Sequence, residues 1–154
     1  MAAVQRPRGP DDSGVCLSKH TGLSHARLSI IDLVSGHQPM EKEAGGRTYS
    51  IAYNGELYNT EELRTELRAQ GHSFATTSDT EVILTGCIEY GPDFVKRLNG
   101  IFAIAFYDAL HDRVILFRDR AGVKPLFYTV RGDEILFASE LKGILAVPGI
   151  RPKL

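Results

Sequence analysis

The chain has 154 residues, 43% of them hydrophobic and 24% charged, and its 18 basic and 19 acidic side chains leave a formal net charge of −1 at pH 7. That composition fits one globular domain able to bury roughly 68 to 70% of its unfolded surface, and it excludes intrinsic disorder, which needs low hydrophobicity with high net charge. Nucleic acid is excluded as a partner by the same numbers, since no basic excess is available to neutralise phosphates.

The opening, Met1 to Ser13, holds two prolines, a glycine and four charges within Arg6 to Asp12 and reads as loop. Three stretches of strand length follow: Gly14 to Leu17, Gly22 to Ile31 and Tyr49 to Tyr53, with Gly45 and Gly46 marking the turn before the third. Asn59, with Glu62 three residues on and Leu63 and Leu67 four apart, predicts a helix that Gly71 stops. Ser78 and Glu81 have the form of a capping box. They start a second helix, with Asp79 in its first turn and a stripe through Val82, Ile83, Gly86, Cys87 and Tyr90, ended by Gly91 and Pro92. A short amphipathic turn through Phe94, Val95 and Leu98 comes next. Ile101 to Tyr107, Val114 to Phe117, Leu126 to Val130 and Ile135 to Ala138 then read as a strand meander, and Ser139 to Leu145 as a closing helix. Continuous apolar content in Ile101 to Tyr107 predicts a strand covered on both faces. The order of elements gives an α+β domain of layered antiparallel sheets.

The longest apolar run falls far short of the 18 residues that a membrane span needs, so a membrane is not expected as a partner. Cys16 and Cys87 form neither a disulfide framework nor a zinc pairing. Cys16, in a predicted strand, reads as a small buried hydrophobe with a raised thiol pKa, Cys87 lies on the apolar stripe of a helix, and the unpaired cysteines point to a soluble protein in the reducing cytoplasm. His20, His25, His37, His72 and His111 lack metal-ligand spacing, and no metal site is expected.

Four segments are poorly explained by packing: RGPDD (Arg8 to Asp12) with RLSIIDL (Arg27 to Leu33); YNGELYN (Tyr53 to Asn59); SDTE (Ser78 to Glu81); and RDRAGVKPLFY (Arg118 to Tyr128) with FASELK (Phe137 to Lys142). In this order and spacing they resemble the class II glutamine amidotransferase domain, the N-terminal nucleophile glutaminase half of asparagine synthetase, from about Arg8 to Leu145. The resemblance implies a four-layer αββα sandwich of two antiparallel sheets truncated at its start, with the domain occupying residues 1–154. It implies no cofactor in this domain, and ATP and magnesium in an absent C-terminal synthetase domain that would be its partner.

Glutamine offers an α-carboxylate, an α-ammonium and an amide, so its pocket needs a cation, carboxylates and donors at the amide oxygen. By resemblance Arg27 clamps the α-carboxylate through paired N–H donors, and Leu28, Ser29, Ile30 and Ile31 shape the same wall. Read without the resemblance, Arg27 is a surface arginine on an edge strand. Glu56 and Asp79 are the acceptors for the ammonium, although an acidic residue in a helix's first turn is also expected from the helix dipole, and Glu56 after a strand can be merely solvated. Asn54 and Gly55 supply an oxyanion hole, or else Asn-Gly is a type I′ hairpin turn. Arg118, Asp119, Arg120 and Lys124 read as a salt-bridged connection beneath the pocket or a face toward the synthetase domain.

The family's nucleophile is an N-terminal cysteine whose own α-amino group acts as base, and a longer stretch than is present here normally separates it from RGPDD. Here seven residues precede Arg8, position 2 is Ala2, and Pro7 stands where the family has histidine. The chain is therefore expected to bind glutamine weakly and not to hydrolyse it alone, and an uncovered sheet edge would favour a homodimer. A catalytically dead interaction domain of the same fold, and an amidotransferase domain serving another acceptor, are the alternatives.

Overall fold

The computed structural model describes residues 2–5, 7, 9, 11–27 and 36–151. Ala2–Gln5 form a short helix, α1. Asp12–Ser18 (β1) and Thr21–Arg27 (β2) pair as an antiparallel hairpin. The opening is therefore not all loop. Ala2 and Ala3 carry the highest helix propensity, and α1 rests on β2 and on the last helix, Leu141–Leu145 (α4). Along β1, Gly14 and Cys16 are buried while Ser13, Val15 and Leu17 are exposed, the period-two pattern of a sheet with one covered face.

Met40–Ala44 (β3) and Arg47–Leu57 (β4) are joined by Gly45 and Gly46, whose φ values of 56° and 69° are those of the hairpin turn that glycine pairs favour. The turn was predicted; β3 was not. Its sequence, MEKEA, holds no β-branched or aromatic residue, and it forms because its backbone pairs residue by residue with β4. A second correction concerns the site. Strand β4 runs through Asn54, Gly55 and Glu56, which lie opposite Ala103, Phe102 and Ile101 of the next strand, Gly100–Asp108 (β5). Asn54-Gly55 is thus strand interior and not a hairpin turn, and Glu56 does not follow the strand.

Between β4 and β5 come Thr60–Ala69 (α2), Asp79–Tyr90 (α3) and a 3-10 turn, Gly91–Arg97. Asn59 stands at the N-cap of α2 as predicted, but its side chain makes no cap bond. Its Oδ1 accepts from Asn99 N at 3.0 Å and its Nδ2 donates to Arg97 O at 3.0 Å, tying the start of α2 to the entry of β5. Gly71, at φ 97°, ends the helix as predicted. Ser78 Oγ accepts from Thr80 N, the second residue of α3, at 3.1 Å, a single cap bond and not the reciprocal pair of a capping box. Glu81 does not reach back and is engaged elsewhere. Helix α3 is buried on all sides from Thr80 to Cys87, whereas Tyr90 is exposed and stacks on Phe94. Gly86 permits this closeness, since a Cβ there would lie 2.1 Å from the Phe94 ring.

Strands β3, β4, β5 and Arg113–Arg118 (β6) form one antiparallel sheet in that order, and β5 is buried on both faces from Phe102 to Asp108, as its apolar run predicted. The predicted meander stops at β6. Among the described residues Phe127–Arg131 (β7) and Glu134–Ala138 (β8) pair only with each other, because the loop 119–126 carries the chain off the sheet. One face of the central sheet, with Ile51, Tyr53, Phe102, Ile104 and Phe106, packs with Leu63, Leu67, Val82, Ile83 and Phe94. The other, through Ala52, Ala105 and Tyr107, packs with Cys16 and Leu23 of the first hairpin and Phe137 of the last. Helix α4 lies against β7 and β8. No helix among the described residues is long and apolar enough to cross a membrane.

Candidate functional site

Strand β4 passes beyond the end of β3, which pairs no further than Ile51, and so leaves one edge of residues 52 to 57 without a strand partner among the described residues. Alternate residues of an antiparallel strand direct their N–H groups to the same edge. Tyr53 N donates to Gln38 Oε1 at 2.6 Å and Leu57 N to Asp79 Oδ2 at 3.3 Å. Gly55 N–H lies between these two in the alternation and is directed to the same open edge. Glycine is required here by the neighbouring strand: a Cβ would stand 2.2 Å from Ile101 O and 2.9 Å from Phe102 Cα.

A cleft of about 770 Å³ wraps this edge. Ala52 to Glu56 form one wall, Thr77 to Thr80 at the start of α3 another, and residues 24–26 of β2, Lys124 to Leu126 and Phe137 to Glu140 close it. Asn54, Gly55, Glu56 and Asp79, four residues singled out in the sequence, therefore share one cavity. Asn54 is half-buried, its side chain has no hydrogen-bond partner among the described residues, and Glu56 is exposed. Arg27 ends β2, the strand that borders the cleft; its side chain, together with all of Arg8, Leu28, Ser29, Ile30 and Ile31, lies outside the described residues.

Asp79 is held on one side only. Its Oδ2 accepts from Tyr53 Oη at 2.9 Å as well as from Leu57 N, and it occupies the first turn of α3, where the helix dipole favours a negative charge. Burial, and then the charge of Asp79, push the Tyr53 phenol well above its ordinary pKa, so the hydroxyl stays protonated and donates. Gln38 completes the frame. Buried, it accepts from Tyr53 N and donates through Nε2 to Thr80 Oγ1 at 3.4 Å, linking β4 to α3.

The loop before Asp79 is fastened from behind. Glu81 accepts from Ala75 N (2.9 Å), Thr76 N (2.7 Å) and Thr76 Oγ1 (2.7 Å), with Lys42 Nζ at 3.6 Å. Burial pushes the Glu81 carboxyl up, but these hydrogen bonds and the lysine charge outweigh it and leave the group below its usual value of 4.5. A carboxyl lowered on folding contributes stability that is complete above its unfolded pKa and is lost as pH falls through the folded one. Glu81→Gln is accordingly expected to destabilise the chain by about 1 to 3 kcal/mol at neutral pH. The gap to the unchanged protein should narrow below pH 4.5, which urea unfolding across pH measures.

Sequence reasoning missed Gln38, Arg64 and Lys42 as builders of this wall, since none stands in a pattern that marks a site, and it gave Tyr53, the first residue of YNGELYN, no role of its own. The reading of the segment after β6 as a salt-bridged connection is corrected. Asp119 is not salt-bridged: its carboxylate accepts from Phe102 N, Val123 N and Lys124 N, and these backbone donors hold it below the ordinary range. Arg118 donates to Gly122 O and Lys124 O, so the pair folds the loop 119–124 upon itself and brings Lys124 to the cleft. Cys16 and Cys87 are both buried, and neither lines the cleft. Burial raises both thiols, Cys87 to about 12. No group of three histidine, cysteine, aspartate or glutamate side chains among the described residues is placed to hold a metal ion.

The model of the family described as "Glutamine amidotransferase domain" matches residues 1–154. Asparagine synthetase [glutamine-hydrolyzing] 3 of Bacillus subtilis is 53% identical over 154 residues, covering 100% of this chain and 25% of that protein. Asparagine synthetase B [glutamine-hydrolyzing] of Escherichia coli is 40% identical over 149 residues, 96% of this chain and 26% of its own. Among solved structures, glutamine phosphoribosylpyrophosphate amidotransferase from B. subtilis superposes with a TM-score of 0.67 at 25% identity, covering 80% of this chain and 28% of that one. The chain thus spans about a quarter of the length of these proteins.

Proposed function

Because the chain belongs to the class II glutamine amidotransferase domain family and is related to the asparagine synthetases, we propose that its cleft binds L-glutamine and that it is the glutaminase portion of an asparagine-forming enzyme. The observation that carries this reading is the pairing, across one cavity, of a carboxylate fixed by Tyr53 with the open Asn54–Gly55 edge of β4. The ligand's α-ammonium would sit between Asp79 and Glu56. Its amide oxygen would meet the Asn54 side-chain N–H and Gly55 N–H, and these two donors would take up the charge that develops on that oxygen during attack at the amide carbon. Arg27 is the proposed clamp for the α-carboxylate, next to a wall formed by Leu28, Ser29, Ile30 and Ile31.

Hydrolysis asks for a nucleophile. No thiol among these 154 residues reaches the cleft, so the chain as it stands is proposed to bind glutamine without cleaving it. ATP and magnesium belong, on this reading, to a synthetase portion that uses the ammonia to amidate aspartate. The four-layer αββα arrangement is supported by packing, with α2 and α3 on one face of the central sheet, the two hairpins on the other, and α1 and α4 against the hairpins.

Calorimetric titration of the chain with L-glutamine, D-glutamine and L-asparagine tests the proposal. L-Glutamine alone should bind measurably, with no glutamate released. Equal heats for all three, or none for any, would overturn it.

A further inference from the structure

Among the described residues Arg64 is the most completely buried charged side chain, with 3% of its surface exposed on the inner side of α2. Its ion-pair partner, Glu61, is 80% exposed and 3.3 Å from Nε, so solvent screens most of that attraction. The guanidinium is satisfied instead by three consecutive backbone carbonyls: Nη1 donates to Thr76 O at 2.9 Å, and Nη2 donates to Thr77 O at 2.7 Å and Ser78 O at 3.1 Å. The Phe74 ring lies beneath it, 5.0 Å from the guanidinium carbon. A buried cation is weak evidence for stability, because an apolar side chain of similar volume often serves as well. Its distinctive contribution here is geometric. Three carbonyls in a row are drawn to one planar fork, and the next residue is Asp79. The amides of the same loop are taken by Glu81, so the segment leading to the cleft is clamped by an arginine on one helix and a glutamate on the next.

We propose that Arg64 is a positioning residue for the amine end of the ligand: by gathering the carbonyls of Thr76, Thr77 and Ser78 it fixes the place from which Asp79 meets the ammonium. The inference rests on the glutamine-binding reading above and adds a residue that never touches the ligand. Lysine cannot replace it, since a point donor does not span three carbonyls as the fork does.

Two measurements on Arg64→Lys separate positioning from general damage. The first is the ratio of affinities for L-glutamine and 4-carbamoylbutanoate, which is glutamine without its α-amino group. Arg64→Lys should reduce the preference for glutamine by about tenfold or more, the worth of one hydrogen bond to a charged group, while affinity for 4-carbamoylbutanoate is kept; a purely structural role would weaken both alike. The second needs no ligand. Leu57 N–H, which donates to Asp79, should exchange with solvent faster in the variant, while Ile104 in β5 is unchanged. Retained preference with unchanged Leu57 exchange overturns the proposal. If the unaltered chain shows no preference for glutamine, the glutamine-binding reading fails, and Leu57 exchange alone decides whether Arg64 places Asp79. Should Arg64→Lys not fold, Phe74→Leu, which removes the ring under the guanidinium, is read the same way, with a smaller shift in the same direction supporting the proposal and no shift overturning it.

Discussion

Asp79→Asn is expected to weaken L-glutamine binding by about tenfold or more, since a hydrogen bond to a charged group contributes about 1.5 to 3 kcal/mol. Asparagine keeps an oxygen that can accept from Tyr53 Oη and Leu57 N, so the wall of the cleft should survive the change. What disappears is the negative charge facing the ligand's ammonium. Isothermal titration reads the affinity and thermal unfolding reads the fold. Unchanged affinity in a folded variant would remove Asp79 from the amine site, and a variant that loses binding only because it unfolds would show it in the melt.

Gly55→Ala should have the largest effect on the fold of any single methyl added at the site. In an ordinary strand the change is favourable, because glycine costs roughly 0.5 to 1 kcal/mol relative to alanine. Here the added Cβ would meet Ile101 O at 2.2 Å, Tyr53 Cε2 at 2.8 Å and Phe102 Cα at 2.9 Å. Two of the three obstacles are backbone of β5, which is packed on both faces and cannot withdraw without opening the core. A destabilisation of about 3 kcal/mol is expected, at the upper end of what overpacking costs, with the urea midpoint lowered and glutamine binding lost. A neutral or stabilising outcome would mean that β4 and β5 can separate freely, and the open edge of β4 would then not be a rigid donor.

Much of this arrangement can be read from the sequence, for reasons that differ between elements. Strand β5 is legible because it is buried on both faces and so carries an unbroken apolar run. Helix α3 is legible because Ser78 caps it through its own hydroxyl. Asn54, Glu56 and Asp79 stand out because polar residues in those motifs have no packing rationale, and the structure brings them to one cavity. Strand β3 is not legible. Lys42 reads as a solvated charge, yet its ammonium donates to Ser73 O and Thr85 Oγ1 and lies over the Phe74 ring, contacts made with residues far along the chain.

Asn-Gly misleads in the opposite direction. As a dipeptide it signals a hairpin turn, and only the opposing backbone of β5 reveals that glycine is there for closeness in a continuous strand. Arg64 is hidden for a third reason: between Leu63 and Leu67 it looks like the polar margin of an amphipathic helix, and its burial depends on a loop that folds over it. Local chemistry thus exposes caps, turns and doubly buried strands. It does not expose polar residues whose partners arrive from distant parts of the chain.

The most direct measurement is a crystal structure of the chain with L-glutamine bound. The expected result is one molecule in the cleft, its ammonium within about 3 Å of the Asp79 and Glu56 carboxylates and its amide oxygen at a similar distance from Asn54 Nδ2 and Gly55 N. Glutamine bound elsewhere, or lying in the cleft with its amide toward Asp79, would contradict the assignment of the two ends.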